Sequence, residues 1–154
     1  MGLARPVAGY GWAGPDLGRN VGDAVLDRTP QTVSDEFTVD GLSRIRMLTH
    51  RACEHAGLAR DVADGFVAAV NEIAINAIRH AGGHGRFDLR ATDRRVMVEI
   101  ADNGPGLARV VTDQRPDVAA IGGRGLWLAR RLCPAITFTS GAHGLTVRLV
   151  AGDL

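Results

Sequence analysis

Between Asp61 and Ile100 the spacing of apolar residues switches once from a helical to an extended period, which excludes an all-helical or all-strand chain. Phe66, Val70, Ile73 and Ala77 recur at steps of four, three and four, which lines one side of a helix over residues 61–81. Gly82 and Gly83 stop that helix. Phe87, Leu89 and Ala91, then Val96, Val98 and Ile100, alternate with other residues, and Asp93-Arg94 between the two runs reads as the turn of a β-hairpin. A hairpin with one apolar face must bury it against another layer, so helices are expected to pack on a sheet.

The rest of the chain supplies the missing layers. Val33, Phe37 and Val39 share a parity, which suits a half-buried strand. Asp40 is expected to cap a helix with apolar positions Leu42, Ile45, Leu48, Thr49 and Ala52, ending at Gly57. Residues 102–125 read as a long polar loop containing Pro105 and Pro116, and a loop of that length in a small domain is usually functional or disordered. A helix over 124–133 and strands over 135–140 and 144–150 complete the order, with Ile136, Phe138, Leu145, Val147 and Leu149 alternating. The expected fold class is α+β: a two-layer α/β sandwich with a mixed, largely antiparallel sheet and the helices on one face. Residues 1–32, rich in Gly, Pro and Ala without a sustained period, are expected to be a flexible extension, leaving 33–154 as the folded domain.

With 154 residues there is room for one domain. Charge is balanced at +1, from 18 basic and 17 acidic side chains, so the chain lacks the basic footprint expected of a nucleic-acid partner. No apolar run approaches the roughly 18 to 20 residues that cross a bilayer, and no signal-peptide pattern opens the chain, so the expectation is cytoplasmic, with no membrane partner. Cys53 and Cys133 lie in apolar helical segments without CxxC spacing and read as buried free thiols. The five histidines form no zinc-binding spacing.

Three segments carry chemistry. In AVNEIAINAIRHAG, residues 69–82, Glu72 and Asn76 are four apart and project from one side of the helix, with Arg79 and His80 a turn later. That polar row is rotated by about 100° from the apolar stripe. Asn is a mediocre mid-helix residue, but its carbonyl oxygen is a hard ligand suited to Mg²⁺. Asn71 points elsewhere on the helix. In VEIADNGPGL, residues 98–107, Asp102 ends a strand and could accept a hydrogen bond from an exocyclic amine, while Gly104 and Gly106 permit close backbone approach. In GGRGLWLARRLC, residues 122–133, a glycine cluster opens a helix whose free amides suit an anion. Each segment also has a plain structural reading: a solvated helix flank, an Asp-Asn-Gly turn, and a helix start without the Lys and Ser/Thr of a Walker A loop.

Taken in order, the segments resemble the GHKL ATPase superfamily, whose members share the Bergerat ATP-binding fold. The asparagine-bearing helix resembles the N box, DNGPG and GGRGL the two glycine boxes, and GLTVRL the closing strand. The short chain is most similar to bacterial anti-sigma factor serine/threonine kinases. That resemblance implies ATP and Mg²⁺ as ligands, Glu72 as the catalytic base, and Asn76 as metal ligand. It implies Asp102 as the reader of the adenine amine with Thr146 beside it, and Gly104, Gly106, Leu107, Gly123, Arg124 and Gly125 around the nucleotide with His80 at its edge. Residues 107–122 would be the lid, with Arg109, Arg115 and Arg124 as candidate phosphate contacts. It implies as partners a sigma factor and an anti-anti-sigma protein, and a homodimer. Asn71 departs from the small or hydroxyl residues usual before the glutamate. Two alternatives share the boxes: a sigma-binding module that uses nucleotide without transferring phosphate, and a histidine kinase catalytic domain. The latter needs a phosphoacceptor histidine on a dimerisation hairpin, and His50 is followed by Arg51-Ala52 instead of the usual acidic neighbour.

Overall fold

A computed structural model describes residues 30–104 and 124–153. In chain order the elements are β1 (Gln31–Thr38), a 3-10 turn (Val39–Gly41), α1 (Leu42–His55), α2 (Arg60–His80), β2 (His84–Thr92), β3 (Arg95–Ala101), α3 (Arg124–Leu132), β4 (Ile136–Gly141) and β5 (Gly144–Gly152). The strands form one sheet in the order β1-β2-β3-β5-β4, and every pairing is antiparallel. The expected α+β sandwich is therefore observed, with no parallel pair among the described strands.

Register explains the core. Phe87, Ile100, Val147 and Phe138 pair in one row across four strands, and Leu89, Val98, Leu149 and Ile136 in the next. Because side chains alternate across a strand, these rows share one face of the sheet. The helices cover that face with Ile45, Leu48 and Ala52 from α1, Phe66, Val70, Ile73 and Ala77 from α2, and Leu126 and Ala129 from α3, all in a single buried cluster. The opposite face is polar and cross-linked, with Arg148 bonded to Glu99 and Arg86 ion-paired with Asp88.

Two helix ends stop as their glycines predict. Gly57 (φ 67°) follows α1, and Leu58 N–H returns to Cys53 O at 3.0 Å. Gly82 (φ 75°) follows α2, and Gly83 N–H returns to Ile78 O at 3.1 Å. Both are Schellman-type stops, in which a left-handed residue lets trailing amides satisfy helix carbonyls. Helix α3 runs antiparallel to α2, because Gly65 meets the Leu132 carbonyl while Gly125 meets Glu72 seven residues on.

The start of α1 departs from expectation. Asp40 lies inside the 3-10 turn, and the residue before α1 is Gly41, with no side-chain cap. The tight turn that redirects the chain off β1 takes up the position where a capping side chain would sit. Val39 accordingly leaves the strand and is 61% exposed, whereas Val33 and Phe37 do face the core. β1 also begins at Gln31, so Gln31 and Thr32 belong to the first strand; Pro30 precedes it and is exposed, and residues 1–29 lie outside the described residues.

Cys53 and Cys133 are buried and free, as expected. Burial, with a smaller contribution from the neighbouring Glu54 charge, pushes the Cys53 thiol up to about 12. Burial also raises Cys133. No helix among the described residues is long and apolar enough to cross a membrane.

Candidate functional site

The C-terminal half of α2 forms one wall. Glu72 and Asn76 are half-buried on the same side of the helix, and His80, one turn further, is exposed. From Glu72 to His80 the helix rises about 12 Å. The two ends of this row touch different parts of the chain.

At the Glu72 end lies the start of α3. A Cβ built on Gly125 would come within 2.9 Å of Glu72 Oε2, so the start of α3 lies directly against the carboxylate and a side chain there would displace it. The first turn of a helix carries unpaired amides and a positive dipole end, so this junction suits anions. Arg124 is exposed at the same helix start. Further along α3, the Arg131 guanidinium stacks 5.9 Å from the centroid of the Trp127 ring.

At the His80 end lies the loop after β3. A Cβ on Gly104 would meet the His80 carbonyl oxygen at 2.6 Å, and Ala81 stands at 3.3 Å. Asp102 is half-buried beside it. Its Oδ1 accepts two backbone hydrogen bonds, from Gly104 N–H at 2.9 Å and from Leu145 N–H at 3.2 Å. Its own N–H donates to Leu145 O at 2.9 Å. The side chain is thus tied to β5, and among the described residues Oδ2 takes no hydrogen bond.

Asn71 belongs elsewhere. Arg46 Nη1 donates to Asn71 Oδ1 at 3.0 Å, and Arg46 Nη2 donates to Ser43 Oγ at 2.9 Å, so this amide links α2 to α1. Its unusual polarity beside Glu72 is taken up by the helix pair.

Thr146 lies on a different face of β5 from its neighbours in the core. Thr146 pairs with Ala101 and Thr139, while Leu145, Val147 and Leu149 on either side of it are buried in the core. Its side chain therefore lies on the face opposite the helices. On the helix-facing side the neighbour of Asp102 is Leu145, which is 4% exposed. Leu145 and Gly144, which adjoin Asp102, were not among the sequence-based candidates. The alternation of Leu145, Val147 and Leu149 already carried the signal. Gly106, Leu107 and Gly123, with Arg109, Arg115 and the rest of the expected lid, lie outside the described residues.

The site therefore comprises the α2 row, the α3 start, and Asp102 latched to β5. Asn76 contributes one hard amide oxygen on the same side as Glu72. Mg²⁺ keeps most of its waters and takes one or two protein ligands besides substrate phosphates, so this donor fits it. Among the described residues no cluster of three His, Cys, Asp or Glu could hold a metal ion by itself.

Comparison with known proteins agrees with this architecture. The family model described as histidine kinase-like ATPase domain matches residues 36–151. No curated protein matches the chain. Among solved structures, that of the RsbU and RsbW domains of a Mycobacterium tuberculosis protein is similar at 18% identity and TM-score 0.56, over 80% of this chain and 32% of that one. The chain thus spans about a third of that structure's length. A mycobacterial sensor histidine kinase, MprB, aligns at 13% identity and TM-score 0.47, over 78% of this chain and 97% of that one.

Proposed function

This chain belongs to the histidine kinase-like ATPase domain family, and from that premise we propose that it is an ATP-binding anti-sigma factor regulator. In this reading it is a serine/threonine protein kinase that phosphorylates an anti-anti-sigma partner and thereby controls sigma-factor availability. The family's ATPase domain implies ATP as ligand. The finer assignment draws on the sequence resemblance.

The observation that carries the reading is the state of Asp102. One carboxylate oxygen is held by two backbone amides and the other is open, half-buried at the end of the α2 polar row. A fixed acceptor of that kind suits an exocyclic amine such as the 6-amino group of adenine. With the base there, the triphosphate would extend along α2 toward Glu72 and the α3 start, where helix amides receive negative charge.

Phosphoryl transfer depends on alignment and on neutralising charge. Mg²⁺, held through Asn76, would supply charge neutralisation at the phosphate oxygens. Glu72 would accept the proton of an incoming serine or threonine hydroxyl, on the same side of the helix as Asn76. Gly125, lacking a side chain, leaves room for that carboxylate beside the α3 start. Leu145 closes the base end against water. Gly106, Leu107, Gly123 and Arg124 would line the nucleotide, with a lid arginine on the γ-phosphate.

The reading is tested by calorimetry with ATP, with and without Mg²⁺, on the full chain and on Asn76→Ala. The expected result is Mg²⁺-dependent binding that the variant weakens. Equal titrations with and without Mg²⁺ would remove the metal assignment, and the absence of any binding would remove the ATP assignment. Transfer of label from ATP to a serine of an anti-anti-sigma protein separates a kinase from a nucleotide-dependent binder.

A further inference from the structure

β5 begins and ends on glycines that face the same obstacle. A Cβ on Gly144 would lie 1.9 Å from the Asp102 carbonyl oxygen, and a Cβ on Gly152 would lie 1.9 Å from that of Arg94. Both glycines have positive φ, 131° and 92°. Arg94 and Asp102 are the residues just outside the two ends of β3. At each end, then, β5 closes onto β3 beyond the regular strand, and a side chain on either glycine would hold the two chains apart.

The two closures use different chemistry. Each end has a main-chain bond, Asp153 N–H to Arg94 O at 2.8 Å and Asp102 N–H to Leu145 O at 2.9 Å, and at the Gly152 end the side chains of Arg94 and Asp153 pair with each other. At the Gly144 end the Leu145 N–H is received by the Asp102 side chain, through Oδ1 at 3.2 Å. The Gly104 N–H converges on the same atom at 2.9 Å. Two amides on one oxygen fix the carboxylate's rotation, and the geometry requires β5 to stand as close to β3 as only glycine permits.

We propose that Gly144 is a positioning residue for base selection. By admitting β5 against the Asp102 carbonyl, it lets the Leu145 and Gly104 amides hold one carboxylate oxygen. The other is then presented in a fixed direction as the acceptor for the 6-amino group of a purine, a position at which a 6-oxo purine offers only a second acceptor. This inference rests on Asp102 being the base contact.

Gly152→Ala provides a matched control, since it meets the same carbonyl obstacle at the end of β5 remote from Asp102. Both alanine variants of the full chain are titrated with Mg-ATP and Mg-GTP, and their thermal midpoints are measured. Both midpoints should fall. Only Gly144→Ala should lose ATP affinity, by roughly tenfold, with the ATP-over-GTP ratio collapsing toward one. A Gly144→Ala protein with the affinity and ratio of Gly152→Ala overturns the inference while leaving the ATP reading intact. A wild-type protein that binds neither nucleotide overturns the ATP reading itself. Should Gly144→Ala fail to fold, amide hydrogen exchange decides. The Leu145 and Gly104 amides should be protected in the wild type and in Asp102→Asn, which keeps Oδ1, and unprotected in Asp102→Ala. Protection that survives Asp102→Ala overturns the latch.

Discussion

The two ends of the β3–β5 pair are built on one backbone device and finished in opposite ways. At one end Arg94 (φ 60°) has its N–H bonded to Ala56 O, its carbonyl bonded to Asp153 N–H, and its guanidinium paired with Asp153 at 2.8 Å. Leu58 packs over Gly152, and every polar group of the Arg94 backbone has a partner. At the other end Asp102 has one oxygen doubly bonded to amides and the other without a partner among the described residues. Among the described residues the Asp102 carboxylate thus keeps one free acceptor, whereas the groups of the other end are spent on one another. The closed end is built for stability.

The sharpest break between the two should come from removing the carboxylate beside the α3 start. Glu72→Ala is expected to lower phosphotransfer by about 10²- to 10⁴-fold, the usual contribution of a general base, while ATP titration changes little. A fully active variant would detach Glu72 from the chemistry and leave the open end as a binding site alone.

A smaller effect should appear only at the closed end, where Cys53 lies in the same α1 terminus whose Ala56 carbonyl anchors Arg94. The Cys53 thiol is raised from 9.0 to about 12 by burial and by Glu54. Below pH 9 the thiol is protonated whether the chain is folded or not, so stability there is unaffected by it. As pH rises through 9 the unfolded state ionises first and the folded state does not until about 12, so stability is lost across that window. Urea midpoints measured from pH 8 upward, at about unit steps, should fall for the wild type and fall less steeply for Cys53→Ala. The remaining slope would come in part from Cys133, which burial also raises. Identical slopes would contradict the buried placement of Cys53.

The smallest effect is expected at Thr146, which sits beside the open end in sequence but on the outer face of the sheet. Thr146→Val should leave ATP affinity within about twofold, since surface substitutions away from special features stay within ±0.5 kcal/mol. A large loss on titration would mean that β5 presents its other face to the site.

Much of this molecule was legible in residue order. The stops at Gly57 and Gly82, the Phe66-Val70-Ile73-Ala77 stripe and the hairpin through Asp93-Arg94 all depend on near neighbours, so local spacing was enough to find them. Asp40 misled because a capping residue and a residue inside a 3-10 turn look alike in sequence, and the turn is dictated by how β1 hands the chain to α1. The face taken by Thr146 was legible in the alternation of Leu145 and Val147, because strand parity is a local property.

The sequence by itself determined the elements, their order and the polar row of Glu72 and Asn76, because a helix or strand period is set by covalent geometry over a few residues. Tertiary structure decided which glycines matter and what each one admits. Gly125 brings α3 onto Glu72, Gly104 fits against the His80 carbonyl, and Gly144 brings β5 onto Asp102. These are meetings between segments many residues apart, fixed by strand register and helix docking, and no local period encodes them. The Asp102 carboxylate was readable as a candidate, but its latched oxygen and its open one exist only once β5 has closed against β3.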